Sequence, residues 1–270
     1  MGLKLAMASE VLPPEEGEAE GCIQCQKGSK MVLFVTGRCH WGCDYCPLSD
    51  NRRETPDMFA NERRCSNWEE VVEEAKAMRA TGTGITGGDP MLDFEKTIDA
   101  IKILKKEMGA DHHIHCYTSI PVGAEKAKEL AVAGLDEIRF HLLDLTIDRY
   151  LETIESGVEH GMEVGVELPV EPDKEPQLFA LLEQLENSPV SFLNLNELEI
   201  TIGNQENMDV RGFNLADGWI RYDNSAERIE IPLSLAENLA EHLEVAVVMV
   251  EIHPTHDRLE VGMVHLNTHR

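Results

Sequence analysis

The sequence has no run near the roughly 18 consecutive apolar residues that a membrane-spanning helix needs. Its first twenty residues have neither a basic start nor a sustained apolar core, so a secretory signal is not expected. Seven cysteines, an odd number in a chain of 270 residues, disfavour a secreted disulfide scaffold. These absences predict a soluble, cytoplasmic protein without a membrane partner. Basic residues are also scarce: 24 Lys and Arg stand against 50 Asp and Glu, a net charge of −26. The acidic excess is dispersed along the chain, so it reads as a hydrated surface of the low-lysine, halophilic kind, whose self-repulsion salt relieves. Such a charge argues against a large non-specific nucleic-acid surface but leaves room for a small local RNA site. What is present is ordinary, with 42% hydrophobic and 27% charged residues, enough for one large domain or two small ones.

Residues 1–30 read as a polar leader that carries Pro13, Pro14 and a C-x2-C pair, Cys22 and Cys25. The apolar run Met31–Thr36 predicts a first buried strand. Ser66 and Glu69 form a capping-box pattern that opens a helix with Trp68, Val71, Val72, Ala75 and Met78 on one face. Strands are then expected near 82–88, 112–118, 137–142, 164–170 and 192–200. They alternate with helices near 93–108, 123–133, 146–156 and 175–186. This rhythm of six βα units predicts an α/β fold with a parallel sheet, open or curled into a barrel. Beyond Thr201 the rhythm breaks. Residues 201–270 are expected to form a small α+β extension, with a helix near 233–243 and strands at 245–252 and 258–265.

The chemistry concentrates after the first strand, where Cys39, Cys43 and Cys46 form C-x3-C-x2-C. Three thiolates on one short loop suit one compact metal centre, and three ligands leave one iron of a [4Fe–4S] cluster open. A zinc knuckle completed by His40 is the competing reading. Near the end of the second predicted strand stands Gly87-Gly88-Asp89-Pro90. The stretch Gly82-Thr-Gly84-Ile-Thr-Gly87 also matches G-x-G-x-x-G, the dinucleotide fingerprint. That motif should follow a strand, however, and here helical periodicity runs almost to its first glycine, so the glycines belong to the strand.

The cysteine triplet with Tyr45 at its aromatic position, followed by the Gly-Gly-Asp-Pro turn, resembles the radical S-adenosylmethionine (SAM) enzymes. The turn departs from the family's Gly-Gly-Glu-Pro by a shorter carboxylate. Lys30–Cys39, Tyr45–Ser49 and Ala60–Glu62 are similar to an archaeal group related to pyruvate formate-lyase activating enzyme. The resemblance covers about residues 31–200 and implies a partial (β/α)6 barrel with its chemistry at the C-terminal ends of the strands. It further implies a [4Fe–4S] cluster on Cys39, Cys43 and Cys46, and SAM on its open iron. In the family, residues at Tyr45 and at Gly87, Gly88, Asp89 and Pro90 contact SAM, and a one-electron donor such as ferredoxin or flavodoxin drives reductive cleavage of the sulfonium. The substrate is left open among a protein, an RNA and a small molecule, and a non-catalytic iron–sulfur or zinc protein is the alternative.

Other candidates rest on placement. Thr118 and Ser119 fall just past a strand, at the rim where SAM's ribose would reach, and a simple turn hydroxyl is the plain alternative. Asn194 and Asn196, with Glu199 beyond, alternate along the sixth strand, where polar side chains are costly unless they face a site or water. Cys22 and Cys25 suit half of a second centre, an auxiliary cluster or zinc, with Cys65 and Cys116 as further candidate ligands. In His112-His113-Ile114-His115-Cys116, alternation sends His113 and His115 to one face and His112 and Cys116 to the other, which fits a polar, barrel-facing strand. His253 and His256 read as a solvated loop.

Overall fold

The computed structural model describes residues 19–196 and 198–213, together with the backbone of short strands at 227–228, 248–250 and 261–265. The first 18 residues of the leader, the helix expected near 233–243 and the His253–His256 segment lie outside the described residues.

The chain runs through helix α1 (Glu20–Gln26), strand β1 (Lys30–Phe34), the hairpin β2 (Met58–Ala60) and β3 (Arg63–Cys65), and helix α2 (Trp68–Ala77). It continues with β4 (Gly82–Thr86), α3 (Phe94–Met108), β5 (His113–Thr118), α4 (Ala124–Ala133), β6 (Glu137–Phe140) and α5 (Leu151–Glu159). Then follow β7 (Glu163–Pro169), α6 (Glu175–Glu186), β8 (Phe192–Asn196), β9 (Glu199–Ile200), α7 (Gln205–Arg211) and β10 (Glu227–Arg228). The last two strands are β11 (Val248–Val250) and β12 (Val261–His265).

Six strands, β1, β4, β5, β6, β7 and β8, pair in parallel in chain order. They are the six predicted βα units, and their order without a reversal is that of a partial (β/α)6 barrel. Antiparallel strands flank them, β2 and β3 beyond β1 and β12 and β11 beyond β8. The sheet stays open, because the strands after residue 201 extend its edge and do not join β8 back to β1.

Alternation gives each strand two faces with different jobs. Met31, Leu33, Ile85, Ile114, Cys116, Ile138, Phe140, Val164, Val166, Leu193 and Leu195 are buried in one core with helix residues such as Val71, Ile101, Leu104, Leu130, Ile154, Leu181 and Leu182. The opposite face lines the lumen and is polar, carrying Lys30, His113, His115, Tyr117, Glu137, Arg139, Glu167, Asn194 and Asn196. Gly82 and Gly84 supply room on this face, since a Cβ on Gly84 would lie 2.6 Å from His115 Nε2 and one on Gly82 would collide with the Gln24 side chain. The G-x-G-x-x-G match is therefore strand β4 packing against the lumen contents, and the dinucleotide-fingerprint reading falls.

Local details differ from the sequence expectations in instructive ways. The N-cap of α2 is Asn67, whose Oδ1 accepts from Glu70 N (3.0 Å), while the Glu70 carboxylate reaches back to Ser66 N (2.6 Å). The box is displaced by one residue because Asn caps at least as well as Ser and Glu70 serves both ends. The segment expected as a polar leader contains α1, which lies across the N-terminal ends of the strands. Its Gly21 N faces the carboxylate of Glu137 (3.4 Å), and its Gln24 carbonyl accepts from Ser29 N (3.0 Å). No helix among the described residues is long and apolar enough to cross a membrane.

Candidate functional site

The loop after β1 carries Cys39, Cys43 and Cys46, all half-buried and free of disulfides. Its base is held by main-chain contacts to the turn after β4. Gly88 N donates to the Thr36 carbonyl and Asp89 N to the Arg38 carbonyl, both at 2.7 Å. Gly87 and Gly88 are needed for that approach: Cβ atoms there would lie 2.4 Å from Thr36 O and 2.2 Å from Arg38 O. Two backbones thus meet where no side chain fits. Burial pushes the Cys39 and Cys43 thiols above their ordinary values.

Asp89 ties the turn to the next strand end. Its carboxylate caps the short helical turn Pro90–Asp93 at Met91 N (3.0 Å), and it accepts from Thr118 Oγ1 (2.8 Å) and Ser119 N (2.8 Å). Burial raises its pKa and these three donors oppose the rise. Asp89, Thr118 and Ser119, singled out separately in the sequence, therefore form one hydrogen-bonded cluster at the C-terminal ends of β4 and β5. Both Asp89 oxygens are engaged, which makes the residue a brace for the turn.

Tyr45 reaches across the mouth to the end of β6. Its hydroxyl is hydrogen-bonded to His141 Nε2 (2.6 Å) and also meets the Cys43 thiol, and the His141 ring bonds the Glu167 main chain. Burial lowers the His141 pKa, which favours the neutral ring. Asn194 and Asn196 stand one layer apart on β8, and both donate to Glu167, at 3.0 and 3.1 Å. Burial pushes Glu167 up, but Arg139 (2.7 Å) and the two amides outweigh it and hold the carboxyl below its ordinary value. Glu199 lies on β9, off the line of β8, and only its backbone is described.

The structure does not gather Cys22, Cys25, Cys65 and Cys116 into one group. Helix α1 turns Cys22 inward, where burial lifts its thiol to about 12, and leaves Cys25 exposed. Cys65 and Cys116 are buried in the main hydrophobic core. His112 sits behind the sheet on Thr83 Oγ1 (2.8 Å), while His113 and His115 face the lumen, as alternation predicted.

Sequence reasoning missed a second set of residues around the cysteine loop. Asn204 Nδ2 donates to the Tyr45 carbonyl (2.8 Å) and Asn207 Nδ2 to the Asp44 carbonyl (3.0 Å). Arg211 pairs with Asp44 (3.4 Å), Glu171 (2.7 Å) and Asp173 (2.5 Å). Helix α7 thus clamps the loop from outside. It is short and polar, so it left no periodic signal. Arg139, His141 and Glu167 were visible in principle, because charged residues at alternate positions of a buried strand mark a polar lumen.

Comparison with known proteins agrees with this arrangement. The Radical SAM superfamily model matches residues 33–173. A protein of Methanocaldococcus jannaschii, provisionally named a glycyl-radical enzyme activating enzyme, is 40% identical over 203 residues, 72% of this chain and 54% of the relative. The GTP 3′,8-cyclase of Lactiplantibacillus plantarum is 30% identical over 129 residues, 46% of this chain and 36% of the relative. The biotin synthase of a Shewanella species is 31% identical over 131 residues, 47% of this chain and 35% of the relative. The match thus spans about half the length of the first of these relatives and about a third of the other two. Coproporphyrinogen III oxidase of Escherichia coli, a Radical SAM enzyme, shares the fold at a TM-score of 0.50 and 13% identity, over 76% of this chain and 50% of that one. With the cysteine loop braced on the Gly-Gly-Asp-Pro turn at the strand ends, and with a family match covering more than half its length, this chain belongs to the Radical SAM superfamily.

Proposed function

We propose that the protein is a radical SAM enzyme in which Cys39, Cys43 and Cys46 hold a [4Fe–4S] cluster. The observation that carries this reading is the loop itself: three half-buried thiols free of disulfides, pinned at their base to the turn after β4. The donor set fits the group, because soft thiolates on one loop suit iron–sulfur ligation. When bound, the cluster and SAM together supply reductive cleavage of the sulfonium and a 5′-deoxyadenosyl radical.

The chain's own residues shape the site for that pair. Backbone atoms of Gly87, Gly88 and Pro90 present the turn, and Asp89 fixes its angle through Thr118 and Ser119. Tyr45 and His141 close one wall of the mouth, and Glu167 with Asn196 continues it as a polar wall along the neighbouring strands β7 and β8. Asn194, one layer deeper, orients Glu167 from below. Residues 31–200 serve as the catalytic core, α1 as its floor and residues 201–270 as an extension that includes the α7 clamp.

A protein substrate, as in glycyl-radical activation, is favoured over RNA or a small molecule by the 40% identical relative. Ferredoxin or flavodoxin is the expected one-electron donor, and the cytoplasm the expected compartment. Anaerobic reconstitution followed by a SAM-cleavage assay tests the reading. The expected result is 5′-deoxyadenosine formation that requires all three cysteines. A reconstituted protein that binds iron yet makes none would instead be a non-catalytic iron–sulfur module.

A further inference from the structure

The floor of the barrel holds a second constellation that the cysteine chemistry does not use. His113 and His115 lie on the lumen face of β5, and Glu137 on β6 stands in register with His115. Among the described residues these three alone form a His/Cys/Asp/Glu group with ligand atoms all within 4.8 Å of one another. His113 Nε2 lies 3.5 Å from Glu137 Oε2, close to the edge of about 3.4 Å expected between tetrahedral ligands at zinc distances. His115 is fully buried, and its Nδ1 has no hydrogen-bond partner, nor has Nδ1 of His113.

The backbone of α1 approaches them closely. A Cβ on Gly21 would lie 2.5 Å from His115 Nδ1 and 2.7 Å from Arg139 Nη2, and Gly21 is not in the left-handed region, so the close approach is what requires glycine. A glycine inside a helix costs about 0.5–1 kcal/mol relative to alanine, which here offsets a clash at the floor.

We propose that His113, His115 and Glu137 form a site for one transition-metal dication of the zinc class, separate from the cysteine loop. Two imidazoles and one carboxylate suit zinc or ferrous iron and not the hard cations magnesium or calcium. Desolvation lowers both histidine pKa values, so the rings are in the neutral, ligating form at pH 7. Glu137 Oε1 stays on the Arg139 guanidinium, which orients Oε2 toward the histidines. The cations facing the site are Arg139, shared between Glu137 and Glu167, and Lys30, whose Nζ lies 3.5 Å from His115 Nε2. Two carboxylates therefore balance two cations, and binding is expected to be weaker than at an all-thiolate zinc site.

The test uses the full chain with Cys39, Cys43 and Cys46 replaced by Ala, so that the loop cannot take up the probe. After incubation with zinc and gel filtration, about one zinc per chain is expected, falling at least fivefold on adding His113→Ala. X-ray absorption at the zinc edge, on the protein with its barrel intact, should show the outer-shell scattering of two imidazoles. That measurement decides the matter even if His113→Ala fails to fold. Substoichiometric zinc, zinc retained in a folded His113→Ala variant, or a shell dominated by sulfur would overturn the site.

Discussion

The two ends of the barrel lumen are built from the same six strands and differ in what their polar groups are doing. At the C-terminal mouth, polar side chains satisfy one another: Asp89 with Thr118 and Ser119, Tyr45 with His141, Asn196 with Glu167. Among them stand three half-buried thiols free of disulfides. At the floor, helix α1 covers the lumen, and buried polar atoms are left over: Gln24 Oε1, Nδ1 of His113 and His115, and Arg139 Nη2. A mouth cross-tied by these hydrogen bonds, with Asn194 Oδ1 and Thr201 Oγ1 left over, frames a reactive loop. A floor of uncompleted ones is stabilised by its ion pairs and has capacity for a ligand. The comparison predicts that substitutions at the mouth move chemistry and substitutions at the floor move stability.

The largest effect belongs to the mouth. Ala at Cys39, Cys43 or Cys46 should abolish 5′-deoxyadenosine formation while changing the unfolding free energy of the metal-free protein in urea by less than about 0.5 kcal/mol, since the thiols are only partly buried. Equal losses of activity and stability would erase the distinction between the two ends. Next is Arg139→Met at the floor. It removes the guanidinium shared by Glu137 and Glu167 and leaves Lys30 to balance two carboxylates. Breaking such a pair costs about 3–5 kcal/mol, readable by denaturant unfolding. A loss below about 1 kcal/mol would mean that water already reaches the floor.

A third effect is read by pH. Burial lowers the pKa of His112, which packs behind the base of β5, to about 4 from an ordinary 6.5. The unfolded chain takes up a proton below about 6.5 and the folded chain only below about 4. The stability this neutral ring preserves is therefore complete above pH 6.5 and falls away toward pH 4, by about 3 kcal/mol. His113, His115 and His141 are lowered in the same direction and add to the slope. His112→Gln should flatten the fall between pH 6.5 and 4 without changing SAM cleavage at neutral pH. An unchanged slope would place the acid sensitivity elsewhere.

Much of the mouth was legible in the sequence because it is local. The triplet Cys39, Cys43 and Cys46 lies on one loop, and the Gly-Gly-Asp-Pro turn follows its own strand. The six βα units were legible for the same reason, through runs such as Met31–Val35 and Val164–Leu168. The pairing of Asp89 with Thr118 was not, since it spans 29 residues and depends on which strands are neighbours. The floor was misjudged because α1 is only seven residues long and lacks an apolar stripe, so its composition read as a leader. The C-x2-C spacing of Cys22 and Cys25 implied a shared ligand role, yet in a helix of this kind one thiol faces the lumen and the other solvent. Nothing local signals that Asn204 reaches back 159 residues to Tyr45.

That last contact yields the smallest effect, and it tests whether the mouth is rigid because of the clamp or by itself. Asn204 is almost fully buried; its Oδ1 accepts from Thr201 N (2.7 Å) and its Nδ2 donates to the Tyr45 carbonyl (2.8 Å). Asn204→Ala removes both bonds, and a buried hydrogen bond of this kind contributes about 1 kcal/mol. Because α7 touches the cysteine loop from outside and does not cross the barrel, the loss should appear as local opening and leave the global unfolding midpoint nearly unchanged. Thiol labelling of the metal-free protein, followed by mass spectrometry of each cysteine, reads that opening directly. Labelling of Cys39, Cys43 and Cys46 should speed up about fivefold, the rate equivalent of about 1 kcal/mol, while the buried Cys22 and Cys116 at the floor and in the core keep their slow rates. If all the cysteines accelerate together, the variant has loosened the whole fold; if none does, the loop is held by the turn at Gly87 and Gly88 alone, and the clamp is incidental.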